Sequence, residues 1–454
     1  MLEACHLFIR NALLVEALRG RADILDNRHR ILADRIFVAI LEKEKVCRAC
    51  DQDAADEQCR RHAKGQKLPP FSAESVQLFP EQPVINEERD EPQNCDDGKK
   101  HSDLLQHDGA LPGIVPTGGW GFEWGNGPAW DAALTYIPYF CYVLRGDRKI
   151  IEENATAIFH YCEYISRRRD ERGLVAIGLG DWCPVTRVKS PLEFTDSVTC
   201  MSILKKAAYI FSQLGLSLER EFCEKLYNEI RDAVRRYLID FGTMTAIGSC
   251  QTSQAMAIYY DVFNPGEKPE AFKRLLEIIK RRDDHVDAGI LGMHVLFRVL
   301  SDFGEADLAF KMITRPDYPS YGNFVERGLT ALPEDFLREE DRPNSLNHHM
   351  FGDISAWFIE YIGGIRVNPF LADPSEVEIS PVFIEKLDSA EASYETVGGK
   401  VSVKWRRTSL GINLDISADS GVHGRVRLPD GYAFADECGS LEELHSGNFE
   451  IIRE

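Results

Sequence analysis

Ala129-Trp130-Asp131-Ala132-Ala133-Leu134-Thr135-Tyr136-Ile137-Pro138-Tyr139-Phe140-Cys141-Tyr142-Val143-Leu144-Arg145-Gly146 is the stretch that decides the fold. Trp130, Ala133, Leu134, Ile137, Phe140, Cys141 and Leu144 recur at helical spacing, and Gly146 is the kind of residue that ends such a run. The pattern returns at about 150–168, 195–213, 218–239, 252–263, 270–281, 287–302, 305–313 and 351–362. Gly, Pro or Asp separates most of these runs by short links, and helices joined in this way fold back as antiparallel hairpins. With helical patterning over residues 1–45 the tally is about eleven helices, close to the twelve of a barrel built from six hairpins. After Pro369 the period changes to two: Lys400-Val401-Ser402-Val403-Lys404-Trp405 alternates, as does Gly411-Ile412-Asn413-Leu414-Asp415-Ile416, followed by Val426 and Leu428. The expected fold class is mainly α, an (α/α)6 barrel followed by a small C-terminal β-sandwich. The expected domains are a helical segment over 1–45, a charged loop or partly disordered insert over 46–108, the helical domain over 109–370 and the β-sandwich over 371–454.

Just upstream of the first run lies Pro116-Thr117-Gly118-Gly119-Trp120-Gly121-Phe122-Glu123-Trp124-Gly125-Asn126-Gly127-Pro128-Ala129-Trp130-Asp131. Glycines let the backbone turn freely and approach a ligand closely. Indole faces stack on the apolar faces of sugars, while carboxylates hold hydroxyls or move protons. Gly178-Leu179-Gly180-Asp181-Trp182 repeats the theme. One reading is a tight loop with buried tryptophans; the other is the rim of a carbohydrate-binding cleft.

The formal net charge of −20 argues against nucleic acid, whose phosphates need a basic patch, and against anionic membrane surfaces. A neutral sugar is indifferent to it. No run is long enough to span a membrane. Met1 to Gly20 is interrupted by Arg10, Glu16 and Arg19 and reads as an amphipathic helix, not a secretory signal. Twelve cysteines without such a signal suggest reduced thiols and a cytoplasmic protein. Cys47, Cys50, Cys59 and His62 have zinc-like spacing, but the segment is short and charged, and free cysteines are the favoured reading. No metal or other cofactor is expected, and a homodimer stays open.

Stacking tryptophans with scattered carboxylates suggest glycoside hydrolysis, which needs one acid and one base. The order of several blocks carries a family resemblance. They are Asp108-Gly109-Ala110-Leu111-Pro112-Gly113-Ile114-Val115-Pro116, Gly127-Pro128-Ala129-Trp130-Asp131, Gly180-Asp181-Trp182 and Ser253-Gln254. Further along come Gly289-Ile290-Leu291-Gly292 with Leu300-Ser301-Asp302-Phe303-Gly304, Tyr318-Pro319-Ser320-Tyr321-Gly322, and Asn344-Ser345-Leu346-Asn347-His348-His349-Met350-Phe351-Gly352. Over about residues 105–370 the chain resembles the α-L-rhamnosidases, glycoside hydrolase family 78. The resemblance implies an (α/α)6 barrel that releases terminal α-L-rhamnose from a rhamnose-containing oligosaccharide or glycoside, with inversion and without a cofactor. It implies Glu334, closing Gly328-Leu329-Thr330-Ala331-Leu332-Pro333-Glu334, as general base. It points to Asn347 and His348 as sugar-binding residues and matches Trp130 and Trp182 to tryptophans lining the family's sugar pocket. Asp181, Trp124, Glu123 and Asp131 complete the expected substrate-binding set.

The family's general acid sits in a motif of the form Asp-x-x-x-Arg-x-Glu-Arg-x-x-Trp-x-x-Asp upstream of these blocks. Arg89-Asp90-Glu91 is superficially similar, but no tryptophan occurs before Trp120. The acid is therefore unassigned, with Glu123 and Glu91 as substitutes to consider. A carbohydrate-binding homologue that has lost its acid is the alternative, and a six-hairpin enzyme acting on another deoxysugar or an uronic acid is a third reading.

Overall fold

The computed structural model describes residues 109–113, 125–186, 190–336, 338, 345–367, 373–435 and 439–453. The expectations for 1–45 and 46–108, the Cys47/Cys50/Cys59/His62 group, Glu91, Trp120, Glu123 and Trp124 lie outside the described residues.

A short turn of helix, α1 (Pro128–Asp131), leads through Ala132 into α2 (Ala133–Arg145). Gly146 takes the left-handed conformation at φ 69° that ends a helix without steric cost. Then come α3 (Arg148–Arg167), α4 (Leu192–Leu214), α5 (Ser217–Leu238), α6 (Gln251–Tyr259), α7 (Lys268–Lys280), α8 (Ile290–Asp302) and α9 (Ala306–Thr314). The bounds expected from periodicity for α3 to α9 differ by a few residues at most. Helix α6 stops before its expected 263, where Asp261 turns left-handed at φ 60°. A short helix that periodicity did not pick out, α10 (Tyr321–Glu326), is capped by the Ser320 hydroxyl, which accepts from the Asn323 N–H. The expected 351–362 helix is a composite of a 3-10 turn (Met350–Asp353), α11 (Ile354–Trp357) and a π turn (Phe358–Ile362).

The packing is in two layers. Helix α2 packs on α4, α4 on α6, α6 on α8, and α8 on the Met350–Asp353 turn and α11. These form an inner arc. Behind it, α3 pairs with α2, α5 with α4, α7 with α6 and α9 with α8. The sequence explains which helix takes which layer. Helices α5, α7 and α9 carry one apolar face and one charged face, as helices with a solvent side do. Every residue of α6 from Gln251 to Ile258 is buried.

A helix enclosed on all sides must satisfy its polar side chains internally. In α6, Gln254 accepts from the Ala246 N–H and donates to the Met244 and Ala271 carbonyls. Gln251 donates to the His285 carbonyl and accepts from the Asp287 N–H. The polar residues of the inner helices thus fasten the loops at the helix ends.

The C-terminal region is β-rich. One sheet has the order β5-β6-β7-β11-β9, and it is antiparallel throughout. Its strands are β5 (Ser389–Thr396), β6 (Gly399–Arg407), β7 (Ile412–Ala418), β9 (Tyr432–Phe434) and β11 (Gly447–Arg453). A four-stranded sheet runs β10-β8-β4-β3, with β3 (Ile365–Val367), β4 (Glu376–Ile379), β8 (His423–Arg427) and β10 (Leu441–Glu443). Strand β3 belongs to this sheet, so the β region begins ahead of the expected boundary at 371. A two-residue ribbon, β1 (Ile239–Asp240) and β2 (Thr245–Ala246), links α5 to α6. Val401, Val403 and Trp405 point inward while Lys400 and Lys404 face solvent, as the alternation requires. The Trp405 indole N–H donates to the Ile362 carbonyl at 2.8 Å and ties the sheet to the last helical turn.

Candidate functional site

The loops entering α1 and α4 meet backbone to backbone. A Cβ at Gly178 would lie 1.9 Å from the Asn126 carbonyl oxygen, and one at Gly127 would lie 2.4 Å from that of Ile177. Both residues also hold positive φ, so glycine is required twice over. This contact sets Trp130 beside Trp182, with ring centroids 6.4 Å apart and planes at 81°, an edge-to-face pair. Both indoles are half-buried.

The aspartates beside these indoles, Asp131 and Asp181, are expected from the sequence to hold substrate; both are buried and bonded to groups of the protein. The Asp181 carboxylate is buried. It accepts from the Thr252 hydroxyl at 2.6 Å and from the N–H groups of Gly289, Leu291 and Gly292 at 2.8, 2.8 and 3.2 Å. Leu291 and Gly292 are in the first turn of α8, where N–H groups have no partner within the helix. Asp181 caps that helix from a distant loop, and Ile290 N–H donates to the Trp182 carbonyl beside it. Burial pushes the Asp181 carboxyl up, and its donors oppose that.

Asp131 is buried too. One oxygen, Oδ2, accepts from the Gly127 N–H and the Tyr161 hydroxyl. Burial raises its pKa to about 7. Among the described residues its other oxygen has no partner, nor has Oδ1 of Asp196 on α4, whose Oδ2 accepts from the Ile177 N–H. Burial, followed by repulsion from Asp131, lifts Asp196 to about 8. These two carboxyls hold the loops that carry the tryptophan pair, through the Gly127 and Ile177 N–H groups.

Glu334 is half-buried. Its N–H donates to the Ser345 carbonyl, and the His348 N–H donates to the Leu332 carbonyl, so segments 332–334 and 345–348 run side by side. The structure therefore places the segment holding Glu334 against the segment holding His348, with Glu334 paired to Ser345 and His348 to Leu332. Asn347 beside them is exposed. Phe336, two residues after Glu334, packs in an aromatic cluster, edge to face with Tyr321 and Phe351 and tilted against Phe324, and the Tyr321 hydroxyl donates to the Phe351 carbonyl. The His348 ring lies parallel to that of His349 and accepts from the Met350 N–H.

Sequence reasoning missed the residues that join the two halves. His294, in the second turn of α8, bonds through Nδ1 to Asp353 at 2.9 Å. Arg298 donates to both Asp353 oxygens at 2.6 and 3.3 Å, and to Glu360 at 2.9 Å. Arg298 and His294 hold the Asp353 carboxyl well below the usual carboxylate range, overcoming burial. A path thus runs from Trp182 through the first turns of α8 to His294 and Asp353, and from Asp353 through Met350 to His348. The only signal in the sequence was a histidine and an arginine four apart in an otherwise apolar helix, which reads equally as a core contact. Among the described residues no group of His, Cys, Asp and Glu is arranged to hold a metal ion. No described helix is long and apolar enough to cross a membrane.

Comparison with known proteins gives the following. The family model for the bacterial alpha-L-rhamnosidase 6 hairpin glycosidase domain matches residues 98–362, and that for the bacterial alpha-L-rhamnosidase C-terminal domain matches 373–435. An alpha-L-rhamnosidase of Alteromonas sp. strain LOR is 26% identical over 353 residues, covering 74% of this chain and 38% of the relative. The solved alpha-L-rhamnosidase from Dictyoglumus thermophilum superposes with a TM-score of 0.70 at 25% identity, covering 78% of this chain and 42% of that one. The Streptomyces avermitilis alpha-L-rhamnosidase, solved in complex with L-rhamnose, shares the fold with a TM-score of 0.68 at 23% identity, covering 77% and 35%. The chain spans about two fifths or less of the length of the curated relatives it matches.

Proposed function

The chain belongs to the bacterial alpha-L-rhamnosidase six-hairpin glycosidase family, and from that premise we propose that it is a glycoside hydrolase that releases terminal α-L-rhamnose from rhamnosides with inversion. Glu334 is the general base that activates water. The observation that supports this reading is the pairing of segments 332–334 and 345–348, which puts a half-buried glutamate and His348 on two adjacent strands of chain. Trp130 and Trp182 offer their faces to the apolar side of the deoxysugar. The −20 charge suits a neutral glycone better than a uronate. The helical arc is read as most of an (α/α)6 barrel. Support comes from the consecutive pairing of inner helices and from Ile137 and Phe140 on α2, 50% and 41% exposed, which a further hairpin would cover.

In an inverting reaction the base takes a proton from water as it attacks the anomeric carbon, and a separate acid protonates the departing oxygen. The acid is not assigned. General acid–base assistance contributes about 10²–10⁴-fold, so its identity governs the rate on poor leaving groups above all. The test is release of rhamnose from an aryl α-L-rhamnoside, with the first-formed anomer read by NMR. Turnover that gives β-rhamnose first and is abolished in Glu334→Gln supports the proposal. Normal turnover by that variant removes Glu334 from the mechanism, and no release by the unaltered chain refutes the activity.

A further inference from the structure

His294 combines an exposed ring, contacts on two flanks and a rigid mount. Its neighbours Met293 and Val295 are buried, while its own side chain is 40% exposed, so the ring opens on a space that solvent reaches. Helix α8 is flanked by α6, by α9 and by the 350–357 segment. The ring meets Tyr259 of α6 edge to face, with centroids 5.9 Å apart, and bonds to Asp353 on the other flank. The ring keeps its exposed part between those two flanks. The ring is also held firmly. Asp353 receives Arg298 and His294 together, Arg298 is buried, and Arg298 is itself fastened to Glu360 and to the His294 carbonyl. A buried arginine locked between carboxylates makes a rigid mount.

With Nδ1 committed to a carboxylate that stays ionised, the proton on that nitrogen is fixed. The Nε2 edge is left as the chemically adaptable side. Rigid rings that present one polar edge on a concave surface are how sugar hydroxyls are selected, since a hydroxyl both donates and accepts. His294 also stands one turn below the Asp181-capped start of α8, whose Ile290 N–H bonds to the Trp182 carbonyl.

We propose that His294 is a specificity-determining contact to the sugar: its Nε2 edge hydrogen-bonds a glycone hydroxyl, with Asp353, Arg298 and Glu360 as its positioning residues. This rests on the rhamnosidase reading above. It adds a polar contact where that reading has stacking faces, and it accounts for a charged network inside an apolar arc.

The test is L-rhamnose binding by calorimetry in the Glu334→Gln background, together with KM and kcat for an aryl rhamnoside in the otherwise unaltered chain. His294→Ala is expected to weaken rhamnose binding and raise KM by about tenfold or more, the effect of one hydrogen bond to a ligand. His294→Gln, which keeps a polar edge, is expected to recover most of that loss, and melting temperatures should stay close to the parent's. A role confined to the fold would lower the melting temperature and leave binding alone. Should His294→Ala not fold, the His294 ring resonance of the full chain, assigned by its loss in His294→Gln, must shift as L-rhamnose is added. Unchanged binding and KM in a folded His294→Ala, or an unmoved resonance, overturns the proposal while leaving the activity standing. If the unaltered chain neither binds nor hydrolyses rhamnosides, both fall together.

Discussion

Asp196 should make the fold less stable as pH rises, and replacing it with asparagine should remove that dependence. Its side chain is wholly buried, and burial moves its pKa to about 8. In the unfolded chain the same group titrates near 3.9. Between about pH 4 and pH 8 the unfolded chain therefore gives up a proton that the folded chain keeps. A raised carboxyl pKa means that stability is fully present below pH 4 and is lost as pH climbs through 8. The slope is about 1.4 kcal/mol per pH unit, so about 2.7 kcal/mol separates pH 5 from pH 7. Asp131, raised to about 7, has the same sign.

Asp196→Asn keeps an oxygen for the Ile177 N–H and supplies an N–H donor for the unpartnered atoms nearby. Urea unfolding at pH 5 and pH 7 is the assay. The fall in unfolding free energy between the two should be smaller in the variant by about 2–3 kcal/mol, and at pH 7 the variant should match or exceed its parent. Identical pH slopes in the two proteins would refute the claim that this carboxyl is protonated in the folded chain.

Asp181→Ala strips the acceptor from Thr252 and three backbone N–H groups. It should cost about 3 kcal/mol or more in urea unfolding, whereas a ligand-facing aspartate would leave stability unchanged. Gly178→Ala forces a methyl into the Asn126 carbonyl. KM for an aryl rhamnoside should rise with it as Trp130 and Trp182 separate, with intrinsic tryptophan fluorescence altered in the same sample. Trp405→Phe gives up the bond to the Ile362 carbonyl and leaves a void in a fully buried site. A loss of about 2–3 kcal/mol is expected by thermal or urea unfolding, and none if the sheet packs independently of the last helical turn.

Much of the fold was legible because it rests on local periods. The face from Trp130 to Leu144, the stop at Gly146 and the alternation of Val401, Val403 and Trp405 depend on residues within a few positions of one another. Helix α10 was missed because its six residues are shorter than a convincing period, and its cap at Ser320 acts through one hydrogen bond. Strand β3 was assigned to the helical domain because three residues show no alternation; pairing with β4 makes it a strand.

At the site, residue type was readable and direction was not. A Gly-Asp-Trp triplet looks the same whether its carboxylate meets a sugar or caps a helix more than a hundred positions away. His294, Arg298, Asp353 and Glu360 are separated by as many as 66 positions and acquire meaning only when α8 lies against the 350–362 segment. Composition and spacing by themselves determined the helical hairpins and the β-rich end, since hydrophobic period and turn chemistry are properties of neighbouring residues, while the order of motif blocks carried the family resemblance. Tertiary packing alone decided that Asp131 and Asp181 are buried, that the Glu334 and His348 segments pair and that His294 is held by Asp353 while part of its ring stays exposed, because burial and hydrogen-bond partners depend on which distant segments come together.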